Sequence, residues 1–354
     1  MARPITLIPG DGIGPEVSAV ARRAIDATGV DVEWDVRSAG VTALASEGTL
    51  LPQTTVDSIA ANGVALKGPL TVLPGHGSPN VALRRELDLY YNVRPAVGRA
   101  LVCGRDVDVV VIRMTLEDLT AGIQFATGEA GNEALRRLVA DIHGIELPDE
   151  AGISLKPLTR HQARRLHEAA FSYAERHGRE RVTTVHKAPN QPATDGVFLE
   201  AGREVAKGHL AIRHDDRLVD SVCHDLARNP ASYDVLATTT QYGDIVSDLT
   251  AGLSGGLGLA PSANLGAECG VFEAVHGTAP RLVGRDMANP LALVRAAAML
   301  LRRIGEDDAA GRIDHATEAL LGDGPLTYDL DRTGEPARTS EVGAALERLI
   351  ESQD

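Results

Sequence analysis

The stretch Tyr233–Gly252, YDVLATTTQYGDIVSDLTAG, constrains the fold of this chain more than any other. It opens as an apolar run, Val235 to Ala237, that passes into threonines, as a buried strand does. Gly243 is expected to break that strand, after which apolar residues recur at helical spacing through Ile245, Val246 and Leu249. A strand running into a helix is the repeating unit of an α/β sheet, whose ligands bind in the crevice beyond the strand's carboxyl end. Asp244 and Asp248 stand four residues apart at the start of this helix and share one face. Two like charges in such a crevice cost energy unless a cation or cationic group lies between them. A solvated helix start, favoured by the macrodipole, accounts for the pair equally well on spacing alone.

At 354 residues the chain can form two domains or one large α/β body. With aromatics at only 3%, its core must be packed from Ala, Leu and Val. A net charge of −14 argues against nucleic acid or an anionic membrane as the main partner, yet a local arginine cluster can still hold a small anion. Only four of the 35 basic residues are lysines: Lys67, Lys156, Lys187 and Lys207. Cys103, Cys223 and Cys269 follow no metal or disulfide spacing, and neither a signal peptide nor a membrane-length apolar run is seen. A cytoplasmic location is expected.

Residues 3–16 read as strand, glycine turn and helix, with Pro15 at a first helical position. Pro69–Pro79 is a shaped loop ahead of a helix over Val81–Leu89; Ser78 and Asn80 close the loop, and Arg84 and Arg94 follow. Arginine suits bidentate capture of carboxylate or phosphoryl groups. Val107–Ile112 reads as a strand buried on both faces, ended by Arg113. Gly128–Gly144 reads as an excursion, Thr159–His177 as an amphipathic helix, and Arg181–His186 as a strand closed by Lys187. Asp216–Asn229 is expected to be a helix carrying Asp220, and residues 251–290 a Gly-rich loop region in which His276–Pro280 cradles a phosphate or nucleotide. Pro290–Ile304 is expected to be a core helix.

The motifs IPGDGIGPE, KGPL, NVALRRELDLY, NVRP, VHKA, YGDIVSDLTAGLSGGLGLAPSANLG and FEAVHGTAP run through nearly the whole chain. On these residues the chain resembles the β-decarboxylating dehydrogenases of the isocitrate/isopropylmalate dehydrogenase family. The resemblance implies a non-Rossmann α/β fold of two domains with the active site in the cleft between them. Residues 1–97 and 254–354 would form the large cofactor domain, and 98–253 the small dimerising one. It implies a homodimer in which Lys187 and Asp220 reach the partner's site. Asp220, Asp244 and Asp248 would bind Mg²⁺ or Mn²⁺; Ser78, Asn80, Arg84, Arg94 and Arg113 would hold a small anionic hydroxy acid, with Lys187 handling its hydroxyl proton. The cofactor would lie against Thr71, His276, Gly277, Thr278, Ala279, Leu282 and Asn289. Arg281, Tyr328 and Arg332 match the pattern of NADP-dependent isocitrate dehydrogenases, so NADP is the expected cofactor. The implied reaction is oxidative decarboxylation of a 3-substituted malate to a 2-oxo acid.

Two departures fall in the catalytic centre. The family pattern R-E-N-(S/T)-E-x-x-Y reads RMTLEDLT, so Thr120 stands where the family has a tyrosine and Met114 where it has a glutamate. A threonine hydroxyl is far less acidic than a phenol. The family's HKANIMK reads HKAPNQP, which puts Pro189 in place of an asparagine. Ser78 and Asn80 match the isocitrate-type S-x-N of the family, so isocitrate is the default substrate, while the shortened loop with His76 and Pro79 departs from that pattern and suggests a close analogue such as a phosphonomethylmalate. Two other readings are a non-catalytic regulatory paralogue that binds the acid or nucleotide, and oxidation of a tartrate-like acid without decarboxylation.

Overall fold

Apolar runs alternating with helical spacing produce a single large sheet flanked on both faces by helices. The computed structural model of the chain describes residues 2–98, 104–331 and 333–353. Among them the strands are β1 (Arg3–Ile8), β2 (Val32–Val36), β3 (Val64–Lys67), β4 (Tyr91–Gly98), β5 (Val107–Met114), β6 (Gln124–Phe125), β7 (Ile153–Ser154), β8 (Arg181–His186), β9 (Arg213–Leu218), β10 (Val235–Thr238), β11 (Pro261–Leu265) and β12 (Gly270–Ala274). Ten of them form one sheet in the order β2-β1-β3-β12-β11-β4-β5-β10-β8-β9, and β6 pairs with β7 apart from it. The outer strands are parallel within each half, whereas the central β12-β11, β11-β4 and β4-β5 pairs are antiparallel. The chain crosses that centre twice between parallel strands, from β3 to β4 through the helix Pro79–Glu86 and from β10 to β11 through the helix Thr240–Leu253, while each half keeps its own core.

Each half is buried on both faces. The helices Gly14–Asp26, Leu291–Arg303, Asp307–Asp323 and Thr339–Glu351 pack on one face of β1, β3 and β12, and Gln53–Asn62 on the other. In the other half Arg160–Arg176 and Asp195–Ala206 cover one face of β5, β8 and β10, and Val219–Arg228 with Thr240–Leu253 the other. Alanine supplies much of the packing, with Ala292, Ala296, Ala297 and Ala298 all fully buried on one helix. Small side chains bring helix and sheet backbones close, as a chain poor in aromatics requires.

Several expectations are corrected. Gly243 does not end a strand; it lies inside the helix Thr240–Leu253. An added Cβ there would lie 2.4 Å from Arg113 Cβ and 2.8 Å from Thr238 Cγ2, so glycine permits the helix to seat against β5. Arg113 lies within β5 rather than ending it. The expected helix from Asp216 begins only at Val219, because Asp216–Leu218 belong to β9, an edge strand whose polar sequence RHDDRL masks it. The supposed loop region 251–290 contains β11 and β12, held by neighbours on both sides despite their small residues. The excursion after Gly128 is a helix, Ala130–His143. The substrate-loop helix runs Pro79–Glu86, stopping before Asp88 with its left-handed φ of 46°.

Candidate active site

The antiparallel centre of the sheet places polar side chains from β4, β5, β11 and β12 on one face. Alternation along β4 puts Asn92 and Arg94 there, and Asn92 stands opposite Arg113 on β5 and Asn264 on β11. Asn92 donates to Ser262 Oγ (2.7 Å) and Asn264 Oδ1 (3.0 Å) and accepts from Arg94 Nε (2.8 Å), which fixes the guanidinium plane. Arg94 Nη1 reaches Ser247 Oγ at 2.7 Å and Asp244 at 3.0 Å, with Asp248 at 3.6 Å. Arg113 Nη1 also meets Asp244 at 3.0 Å. Arg84 donates to Asn264 Oδ1 (2.8 Å) and lies 3.5 Å from Glu273, which in turn pairs with the fully buried Lys67 at 2.5 Å.

These groups border a cavity of about 220 Å³, which Ser78, Asn80, Arg84, Arg94, Arg113, Asp244, His276 and Gly277 help to line. Its charge is unbalanced. Burial pushes the Arg84 guanidinium below its ordinary range, and burial with repulsion from Arg94 and Arg84 pushes Arg113 down much further. Asp244, itself 60% exposed, is shared by Arg94 and Arg113. Burial also raises the Asp248 carboxyl, against the pull of Arg94. Around the cavity Asn80 Oδ1, Arg113 Nε and His276 Nε2 are buried without a hydrogen-bond partner. Orphaned polar atoms beside mutually repelling cations make a site that gains by taking up an anion with several oxygens.

The loop after β12 carries His276–Pro280 and packs against the first glycine turn. Ile13 N donates to Thr278 O at 3.1 Å, and Gly12, at φ 62°, leaves no room for a Cβ against that oxygen. Asp11, 3% exposed, accepts from the backbone N–H of Val41 (3.0 Å) and Thr71 (2.7 Å), tying three turns together. Ala279 adopts a left-handed φ of 39° and Leu282 packs against the core behind it. Asn289 donates to Asp329 (2.9 Å), while Arg281 and Tyr328 are exposed and Arg332 lies outside the described residues.

Lys187, Asp220 and Thr120 do not join the cavity lining. Lys187 Nζ meets Asp220 at 2.5 Å, and that bond lowers the Asp220 carboxyl. Asp195, fully buried, accepts the Lys187 N–H at 2.7 Å and pairs with Lys156 at 2.5 Å, so the lysine loop is rigidly held. Thr120 lies in a 3-10 turn whose carbonyl accepts from Arg85 at 2.8 Å, and Met114 is 2% exposed. His76 is exposed and lies off the cavity lining, so it offers no donor to a phosphonate there. Among the described residues no cluster of three His, Cys, Asp or Glu side chains is arranged to hold a metal. Asp244 and Asp248 supply two carboxylates of the right hardness for Mg²⁺ or Mn²⁺, and any third protein ligand must come from outside this arrangement. Asn92, Asn264 and Glu273 escaped the reading of individual residues; the available signal was a lone carboxylate or amide inside an apolar strand.

The family model described as isocitrate/isopropylmalate dehydrogenase matches residues 4–346. The chain is similar to the mitochondrial isocitrate dehydrogenase (NAD) subunit alpha of Homo sapiens, 39% identical over 99% of this chain and 91% of that protein. It is likewise similar to the mitochondrial isocitrate dehydrogenase (NAD) catalytic subunit 5 of Arabidopsis thaliana, 38% identical over 96% and 87%. A solved isocitrate dehydrogenase from Methylococcus capsulatus superposes with a TM-score of 0.90 at 43% identity, covering 99% of this chain and all of that one.

These relatives overturn three expectations. Their names specify NAD, so neither NADP nor likeness to NADP-dependent members stands. Physically, an exposed Arg281, whose guanidinium makes no hydrogen bond or ion pair among the described residues, is not a built 2′-phosphate socket, and the Asp329 carboxylate beside Asn289 would oppose one. Several are named as subunits alpha, which overturns the simple homodimer; packing inside one chain carries no record of whether its neighbour is identical. They are named mitochondrial, which overturns the cytoplasmic expectation. The free thiols at Cys223 and Cys269 suit any reducing compartment and do not distinguish the two, and Cys103 lies outside the described residues.

Proposed function

The chain belongs to the isocitrate/isopropylmalate dehydrogenase family, and from that premise we propose that it oxidatively decarboxylates isocitrate, or an acid close to it, with NAD and a divalent cation. The observation that carries this reading is the trio Arg84, Arg94 and Arg113, deprived of enough counter-charge around a cavity sized for a small polycarboxylate. The relatives' names support NAD as the oxidant.

When bound, NAD accepts a hydride and the divalent cation stabilises negative charge developing as CO₂ leaves. The chain's own residues do the remaining work. The three arginines grip carboxylates and orient the carbon bearing the hydroxyl. Ser78, whose side chain does not cap its helix, and Asn80 face the substituent that distinguishes one malate from another. Asp244 and Asp248 would hold the cation from one helix face, and their attraction to Arg94 positions it beside the substrate. Lys187 would hold or release a proton at Nζ, with Asp220 keeping it in place. Because Lys187 and Asp220 stand apart from this cavity, they would serve a site completed by a neighbouring subunit of the family, in keeping with the relatives' names. The cofactor would lie along His276–Ala279, Leu282, Asn289 and Thr71. Residues 1–97 and 254–354 would then act as the cofactor domain against 98–253.

The test is NADH formation by purified protein with NAD and Mg²⁺, comparing isocitrate, homoisocitrate, 3-isopropylmalate, tartrate and phosphonomethylmalate, with CO₂ measured alongside. Turnover of isocitrate with one CO₂ per NADH is the expected result. A folded protein that binds the acids yet reduces no NAD would overturn the reading and favour a regulatory chain, for which Thr120 in place of a phenol is the structural argument.

A further inference from the structure

On the face of the central sheet opposite the arginine cleft lies a second and larger cavity, of about 590 Å³. Strand alternation creates it. The residues of β4 that alternate with Asn92 and Arg94 are Tyr91, Val93 and Pro95; with Ala263, Leu265 and Phe272 from β11 and β12 they form an apolar floor. Met299 on the helix Leu291–Arg303 closes one side, and Tyr173 near the end of Arg160–Arg176 closes the other. The volume is within the range of about 300–1,000 Å³ found for small-molecule sites.

Its rim is cationic in a chain of net charge −14. Arg176, Arg179, Arg295, Arg302 and Arg303 surround it, against only Asp314 and Glu318. Arg295 pairs with Glu318, Arg302 with Asp314, and Arg179 with Asp108 and Asp234. Arg176 and Arg303 have no carboxylate partner among the described residues. Arg176 donates to its own helix at Ser172 O (3.1 Å) and lines the cavity with Tyr91, and Arg303 reaches only Ala267 O at 3.5 Å. Basic residues at helix ends are favoured by the macrodipole, which explains their sequence position but supplies no anion. Burial raises the Tyr91 and Tyr173 phenols, so neither contributes a negative charge at neutral pH.

We propose that this cavity is a ligand site for a flat organic anion, an aryl or heteroaryl ring bearing a carboxylate or phosphate. The ring would lie against the part-exposed Pro95, Tyr173, Leu265 and Met299 of the cavity, and its charged group would meet Arg176 and Arg303. The site is separate from the catalytic cleft, and the proposal stands whether or not the activity reading does.

The test titrates the intact protein with 8-anilinonaphthalene-1-sulfonate, an aryl anion that fluoresces when held in an apolar site. Saturable binding is expected, at least tenfold weaker in the double variant Arg176→Ala, Arg303→Ala. Both side chains are exposed and make no ion pair, so the variant should melt with the wild type. Met299→Trp narrows the cavity without removing charge and should weaken binding as well. Inosine monophosphate and 2-naphthoate then compete for the dye; displacement by one of them tells whether a phosphate or a carboxylate head is preferred. Affinity unchanged in the double variant, or displacement by neither competitor, overturns the proposal.

Discussion

Lys67 and Glu273 form a buried ion pair behind Arg84, and the pair makes the cleft sensitive to acid. Burial alone would raise the Glu273 carboxyl, but Lys67 and Arg84 outweigh it and hold it down to about 2, from an ordinary 4.5. A carboxyl depressed on folding contributes stability that is complete above its unfolded pKa and is lost as pH falls through the folded one. Stability is therefore expected to decline from just above pH 4.5 toward pH 2, by roughly 3 kcal/mol from this group. Lys67→Met should cost about 3–5 kcal/mol and move the acid-unfolding midpoint to higher pH; an unchanged midpoint in circular dichroism would sink the idea. Arg113 should behave in the opposite way. Arg113→Ala removes a cation repelled by Arg94 and Arg84, so little change in melting temperature is expected, whereas KM for the acid should rise by a factor equivalent to about 2–5 kcal/mol. A large loss of stability with unchanged KM would show that Arg113 is a packing residue.

At the scale of elements, the helix Thr240–Leu253 carries the paired carboxylates, and its seating against β5 decides where they point. Intrinsic propensity favours Gly243→Ala by about 1 kcal/mol. The contact of 2.4 Å that a Cβ would make with Arg113 opposes this gain, and overpacking typically costs about 1–3 kcal/mol. We expect the variant to melt lower than wild type and to bind the acid more weakly, because Asp244 is moved away from Arg94. Raised stability in a thermal melt would mean that the helix can shift without penalty. The same helix shows how local pattern misleads: glycine after a threonine run reads as a strand breaker, yet its reason for being here is an arginine 130 positions earlier in the chain.

Across the whole molecule, the antiparallel centre of the sheet joins two parallel halves and presents one face to each cavity. Among the described residues only Asp244 and Asp248 stand together for a cation, so chelation is expected to abolish NAD-linked turnover, with Mg²⁺ or Mn²⁺ restoring it; turnover that persists in chelator would refute the metal requirement. Native mass spectrometry of the chain alone, compared with a mixture holding other subunits of the family, tests the expected unlike assembly. Exclusive self-association that already gives full activity would refute it. Much of this organisation was legible in the sequence, because strands buried on both faces and amphipathic helices leave local periodic signals: Val107–Ile112, Arg181–His186 and the helix capped by Thr159 all lie where periodicity places them. The arginines, aspartates and HGTAP loop stood out through the family motifs they belong to, not through periodicity. What tertiary structure alone decided depends on contacts between distant positions. Polar β9 and small-residue β11 and β12 become strands only beside their neighbours, and Asn92, Asn264 and Glu273 become a site only when three strands align. The back cavity lies where the helices Arg160–Arg176 and Leu291–Arg303, one from each half, part over the residues that alternate with the site's arginines and asparagines.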